Sequence, residues 1–278
     1  TSVVLLTMLI IITAIFITSN MARATQLQTA IKVKESYEKD NSKAGEIYAK
    51  LTENTSTPSY VTNGLILHYD AINNTGNGHD NNATVWKDLS GNENDLTLSN
   101  LGNDSTSGWG DNTLNFDGID DFGTVTTIQN ILSGETTIST RIYSEQYNNY
   151  RGIYGNHYGP YGSVVGILNQ FQNEMLRIGY NSNIVDLSYT DVCNKYITLT
   201  VQMGASVGTK VYINGNLIKE SKNETTNPNV NGANFWIGKS YDSVDRYFSG
   251  KMNNFMIYNR ILTDIEISQN YRADEARF

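Results

Sequence analysis

Tyrosine, arginine and histidine crowd into residues 147–162, YNNYRGIYGNHYGPYG, and that mixture has the chemistry to hold a sugar. Aromatic rings cover the C–H faces of a pyranose, while guanidinium, amide and carboxylate groups pair with its hydroxyls and with any acid group. Tyr150, Arg151, Tyr154, His157, Tyr158 and Tyr161 are the candidate contacts, set among glycines that let backbone approach a ligand. Arg151 is the cation of this stretch, so an acidic glycan such as a sialylated one is an expected ligand. Tyr241, Asp242 and Arg246 form a second candidate group, and Trp109 with Asp111 a third. The bland alternative is that Tyr and Gly decorate an edge strand and its turn.

Other clusters suggest metal or acid–base chemistry and fit it less well. Residues 88–95 and 117–121 are rich in side-chain oxygen, as a calcium loop is, but neither has the ligand spacing or terminal Glu of an EF-hand. Calcium is therefore the one cofactor considered, and no other is expected. His68, His79 and His157 stand singly, and spacing nominates no Ser-His-Asp or Cys-His pairing. Asp264 and Glu266 lie close together, but Glu266 stands three positions after Thr263, the pattern of a helix capping box. An enzyme is not expected. Trp86 and Trp236 sit in apolar alternation and read as core.

Composition narrows the partners. The chain has 278 residues and a net charge of −8, which argues against nucleic acid and against anionic lipid as ligands. Cys193 is the single cysteine, so no intrachain disulfide forms, and an extracellular setting that does not rely on disulfides is expected.

The elements that must position these groups are short strands. From about residue 60 onward, β-branched and aromatic runs alternate with Gly, Asn and Asp: residues 65–69, 113–116, 136–143, 164–168, 175–180, 196–203, 210–213, 235–239 and 251–258. Thr198, Thr200 and Gln202 alternate with Leu199, Val201 and Met203, the pattern of a half-buried strand. Asn214-Gly215 supplies the positive-φ turn of a hairpin. Many short strands with frequent turns predict an all-β sandwich or jelly roll.

Ahead of them, residues 1–21 carry no charge and are long enough to cross a bilayer as a helix of about 30 Å. Ala30, Tyr37, Ala44 and Leu51 then recur every seven residues, with no Pro before Pro58, so a single long α-helix over 1–51 is predicted. Residues 52–59, TENTSTPS, read as a linker. A basic leader ahead of Thr1 would reconcile Arg23, Lys32 and Lys34 with an outward-facing head.

This N-terminal pattern resembles the type IV pilins, with a greasy half-helix, an amphipathic continuation and then a globular head. Pilins usually carry Glu at the fifth position, and here Leu5 stands there. A buried carboxylate is costly without a partner, so Leu5 suits a subunit at the filament tip. The phrases Trp86-Lys87-Asp88-Leu89-Ser90-Gly91-Asn92, Leu114-Asn115-Phe116-Asp117-Gly118, Val211-Tyr212-Ile213-Asn214-Gly215, Phe235-Trp236-Ile237-Gly238 and Phe248-Ser249-Gly250-Lys251-Met252 occur in the order found in laminin-G-like modules. In these, residues 60–278 resemble the concanavalin A-like lectins. The resemblance implies a sandwich with a ligand on its concave face or rim loops. It also implies that glucanases of this fold would carry a Glu-x-Asp-x-Glu strand, absent here, and that calcium, where bound, would sit near Asn253 and Asn254. A concanavalin A-like jelly roll on a long N-terminal helix is thus expected to be a minor, tip-located pilus subunit on a bacterial surface. It would be a glycan-binding adhesin with other pilins as partners and would insert in the membrane through residues 1–21. The alternative is a membrane-anchored surface protein whose sandwich binds a protein or plays a structural role.

Overall fold

Alternation of apolar and polar side chains at a period of two turns most of the chain after residue 60 into strands with one face on the core. The computed structural model describes residues 58–125, 132, 134–145, 150–156, 167–181, 183–223, 225–228, 234–240 and 246–278. The predicted helix over 1–51, and most of the linker over 52–59, lie outside the described residues. Among the described residues, no helix is long and apolar enough to cross a membrane.

The strands are β1 (Leu65–Asp70), β2 (Val85–Trp86), β3 (Leu96–Ser99), β4 (Gly108–Gly110), β5 (Thr113–Asp117), β6 (Phe122–Val125), β7 (Thr136–Ser144) and β8 (Arg151–Gly155). They continue with β9 (Ile167–Gln172), β10 (Met175–Tyr180), β11 (Asn183–Ser188), β12 (Tyr196–Gly204), β13 (Gly208–Ile213), β14 (Asn216–Ser221), β15 (Phe235–Ile237) and β16 (Ser249–Tyr258). A single turn of helix, α1 (Tyr189–Val192), precedes β12, and α2 (Asp264–Arg277) follows β16. Among the described residues the strand pairings are antiparallel and fall into two sheets. The first runs β14-β13-β12-β7-β16-β5-β4, and the second β11-β10-β9-β8-β15-β6-β3-β2. This is an all-β sandwich of the jelly-roll kind, as the strand pattern predicts.

Strand β16 is the spine of the first sheet. One edge pairs with β7 along its length, while β5 takes Ser249–Met252 on the other edge and β1 takes the residues from Asn254 onward. Asn253 is the bulge where the handover occurs, and its amide reaches Asn112 O at 2.9 Å. Between the sheets, Trp86 stacks on Tyr69 at 5.4 Å and meets Trp109 edge-on at 5.2 Å. Farther along, Tyr154, Phe235 and Phe255 pack together. Burying each such side chain contributes about 1.5 to 3 kcal/mol.

Helix α2 lies on the outer face of the first sheet, where Ile267 packs with Tyr212, Met256, Tyr258 and Leu262. Its start is the predicted capping box, with Thr263 and Glu266 serving each other's backbone. The Asn214-Gly215 turn has positive φ at both residues, 51° and 78°, as the hairpin between β13 and β14 requires. Thr198, Thr200 and Gln202 do not face water, as a half-buried strand would have them. The helix covers their face, and they are satisfied by Asp274 at 2.6 Å, Ser139 at 2.8 Å and Leu262 O at 2.5 Å.

Candidate functional site

Strand β8 lies inside the second sheet, between β15 and β9. The sequence therefore places Arg151–Gly155 on a central strand and not on a rim or sheet edge. Phe171, Leu176, Ile178, Val185 and Leu187 point into the core from β9, β10 and β11, so the residues between them make up an outer face. Asp186, Arg177, Gln170 and Gly152 are successive cross-strand partners on that face. Arg177 forks onto Asp186 at 2.8 and 3.0 Å, and this pairing holds its pKa above the ordinary arginine value.

Gly152 is the hinge of the arrangement. A Cβ there would stand 2.3 Å from Ser240 N, so glycine alone lets the segment after β15 lie across β8. Gly152 N donates to Arg246 O at 2.9 Å, and Ser240 Oγ and Arg246 Nη1 donate to Gln170 Oε1 at 3.2 and 3.4 Å. The Arg246 guanidinium then stacks 4.0 Å from the centre of the Tyr150 ring. Tyr150 is 41% exposed. The result is an exposed ring stacked on one guanidinium group, with the Gln170 amide beneath and Arg177 next to Gln170 across the strands. Such a set can stack on a pyranose and donate to its hydroxyls or to an acid group. Nearby, the Lys239 ammonium lies 4.6, 5.0 and 5.8 Å from the ring centres of Phe122, Trp236 and Tyr247. Trp236 is buried as expected, but on this outer face under Lys239 and not between the sheets.

The structure joins two of the sequence candidates and dissolves others. Tyr150 and Arg246, 96 positions apart in the numbering, meet in one site. Tyr154, 1% exposed, belongs to the core and is no sugar platform, because a central strand points it inward. Trp109, 8% exposed, is also core, with its indole N–H on Ala83 O at 2.8 Å. Asp111 is exposed in the turn between β4 and β5. Arg151 is turned away from Arg246 and donates to Gly118 O. His157, Tyr158, Tyr161, Tyr241 and Asp242 lie outside the described residues. Gln170, Arg177 and Asp186 were missed, although strict alternation in β9 to β11 would have set them on one face.

The oxygen-rich loops are turns held by their own carboxylates. Asp88 accepts from His68 N, Ser90 N, Ser90 Oγ and Asn94 N. Asp117, Asp120 and Asp121 bring carboxylate oxygens within 4.8 Å of one another, a donor set calcium accepts. However, Asp121 takes Asp117 N and Ser107 Oγ, and Asp117 takes Ile119 N, so two of the three are spent on the turn. Burial pushes Asp121 up to about 6. Asn253 and Asn254 are buried, the latter bonded to Asp274 and Arg141 N and the former donating to Asn112 O.

A family model described as "Concanavalin A-like lectin/glucanases superfamily" matches residues 116–268, more than half of the chain. Among solved structures, a mutant of Trypanosoma rangeli sialidase displaying trans-sialidase activity is similar at 15% identity and a TM-score of 0.60, over 91% of this chain and 39% of that one. The Trypanosoma rangeli sialidase in complex with sialic acid is similar at 16% identity and a TM-score of 0.59, over 90% and 39% of the two chains. The receptor binding domain of botulinum neurotoxin C/D mosaic serotype is similar at 16% identity and a TM-score of 0.55, over 76% and 51%. The chain thus spans about two-fifths to half of the length of these proteins. No curated protein matches it.

These likenesses are of fold. They correct the expectation that the chain is not an enzyme: its fold occurs within chains named sialidase and trans-sialidase, so the missing Glu-x-Asp-x-Glu strand does not exclude glycoside chemistry. Through the match over 116–268 and the two-sheet sandwich that carries it, the chain belongs to the concanavalin A-like lectin/glucanase superfamily.

Proposed function

We propose that residues 60–278 bind carbohydrate on the outer face of the second sheet, and that the preferred ligands are acidic, sialylated glycans. The observation that carries this reading is the Arg246 guanidinium stacked at 4.0 Å on the exposed Tyr150 ring, with Gln170 beneath and Arg177 paired with Gln170 on the next strand. The family supports it, and so does the occurrence of the fold in a sialidase solved with sialic acid. Calorimetric titration of sialylated and neutral oligosaccharides tests it. A charge-assisted hydrogen bond in a partly exposed site is worth about 1.5 to 3 kcal/mol. Arg246→Ala should then weaken acidic glycans by about tenfold or more, while Tyr150→Ala weakens acidic and neutral sugars alike. Unchanged affinity in both variants, with unchanged melting temperature, removes this site. Analysis of the titrated oligosaccharide for cleavage products tests glycosidase activity in the same samples.

The pilin-like pattern of residues 1–51 supports a finer reading: the head is displayed on a bacterial surface by a subunit that enters a filament, at its tip, through a helix first held in the membrane by residues 1–21. On this reading the protein is recovered in low amount with sheared surface fibres. Recovery from washed membranes alone would leave the simple membrane anchor.

A further inference from the structure

On the other sheet, Tyr196, Tyr143, Lys251 and Asn115 are successive cross-strand partners on β12, β7, β16 and β5. Their chain neighbours Ile197, Ile142, Met252 and Leu114 are in the core, so the row of four stands on the outer face. Helix α2 covers this sheet at Tyr212, Met256 and Tyr258, and the row lies at the other ends of the same strands. Tyr196 is 41% exposed, Tyr143 half-buried and Lys251 exposed. The two rings lie 5.4 Å apart at 54°. Arg141, two positions before Tyr143 and on the same face, sets its guanidinium 5.7 Å from the Tyr196 ring and is held there by Glu275 of α2 at 2.5 Å.

We propose that this row is a second carbohydrate site, taking an acidic oligosaccharide laid across the strands, with its sugar faces on Tyr196 and Tyr143 and its acid group at Lys251. Asn115 is buried at the end of the row, and the two strand spacings from Tyr196 to Lys251 make the open part about 10 Å long, the reach of a disaccharide unit or more and not of a single sugar. The chemistry favours sugar over a protein partner. The two aromatic residues are tyrosines, with a ring for C–H faces and a hydroxyl for hydrogen bonds, while the exposed aliphatic residues Ile119, Leu217, Ile218 and Ile265 lie elsewhere. Lys251 enters no ion pair among the described residues, and a free ammonium on a chain of net charge −8 selects an anion locally where the chain as a whole repels one.

The site extends the carbohydrate reading but does not depend on the Tyr150 site, which is on the opposite sheet. The test is titration of the full chain, in detergent micelles, with a hyaluronate hexasaccharide as the acidic probe and a chitin hexasaccharide as the neutral one. Lys251→Ala should weaken the acidic probe by about tenfold and leave the neutral probe unchanged. Tyr196→Ala should weaken both, and Tyr196→Phe should restore most of the loss, which separates ring stacking from misfolding. Arg246→Ala should leave this binding component in place. Wild-type affinity for both probes in Lys251→Ala and Tyr196→Ala would overturn the proposal, and loss of all binding in Arg246→Ala would then assign it to the Tyr150 site alone. Failure of the unaltered chain to bind either probe, or Tyr196 variants that lose only a protein ligand, would overturn it too.

Discussion

Replacing Asp274 by Asn should remove much of the pH dependence of the head's stability. Asp274 is fully buried on α2 and accepts from Tyr60 OH at 2.9 Å, Asn254 Nδ2 at 2.6 Å and Thr198 Oγ1 at 2.6 Å. Loss of hydration outweighs these three bonds and pushes its pKa from 3.8 up to about 6. Between those values the folded chain binds more protons than the unfolded one, so stability falls as pH rises. The stabilisation from this group is complete below pH 4 and lost by about pH 6. At about 1.4 kcal/mol per unit, the change is on the order of 3 kcal/mol. Asn keeps the acceptor that serves Tyr60 and Asn254, and its amide can donate to the Thr198 hydroxyl. Urea unfolding followed by tryptophan fluorescence at pH 4, 5, 6 and 7 reads the effect. The wild type should lose stability across this range, and Asp274→Asn should flatten the loss by about 3 kcal/mol. Equal slopes in the two proteins would refute the reasoning and shift the dependence to Asp121, which burial also raises to about 6 and which Asp121→Asn would isolate.

Below pH 4 the opposite slope should appear. The Arg260 guanidinium and the Thr263 cap hold Glu266 down at about 2, so stability present above pH 4.5 is lost as pH falls toward 2, and Arg260→Ala should shrink that acid limb in the same urea series, leaving the part due to the cap. Gly152→Ala should cost about 1 to 3 kcal/mol in thermal or urea unfolding, because its Cβ would collide with Ser240 N and spread the segment that carries Arg246. Tyr154→Phe should leave glycan affinity unchanged in titration, since the ring is core. Cys193 is buried and its thiol is pushed up to about 11, so labelling of the native chain by a maleimide should be slow and should accelerate in urea.

How far the sequence could be read follows from the range of the forces involved. Capping, hairpin turns and alternation are local, and Thr263 with Glu266 and Asn214-Gly215 fold as their spacing predicts, while the run in β12 is a strand as predicted but is buried on both faces, the polar one under α2. Short strands such as Val85–Trp86 and Gly108–Gly110 went unseen because two or three residues carry no period. Loop-like composition misled at β8. Its glycines and tyrosines suggested a rim, yet the strand is central because Gly152 admits Ser240 across its face. The superfamily was legible in the order of its phrases, and the match over 116–268 bears that out. The pairing of Arg246 with Tyr150 was not legible, since it depends on β15 lying beside β8, a contact between strands distant in sequence. The pilin-like helix rests on residues outside those described.

The two outer faces of the sandwich differ in what covers them, because residues 59–63 and α2 lie on the first sheet. Residues 59–63 are held to α2 and the β16 end. Gln269 donates to Ser59 O, Val61 N donates to Asn270, Tyr258 OH donates to Val61 O, and Arg260 donates to Asn63 O. Tyr60 reaches Asp274, the same buried carboxylate that sets the pH dependence. Part of the first sheet's outer face is therefore committed to fastening residues 59–63, and what stays open there is the row from Tyr196 to Lys251. The second sheet has no helix over it among the described residues, and its polar row of Asp186, Arg177 and Gln170 needs none, because each side chain is paired on the surface. Mutations that loosen the Asp274 network should lower stability without altering affinity at Tyr150, and a Tyr60→Phe variant provides the check. Its urea midpoint should fall through the lost bond to Asp274, worth about 1 kcal/mol or more, while its titration with acidic oligosaccharides matches the wild type. A parallel loss of affinity would show that the two faces are coupled through the core.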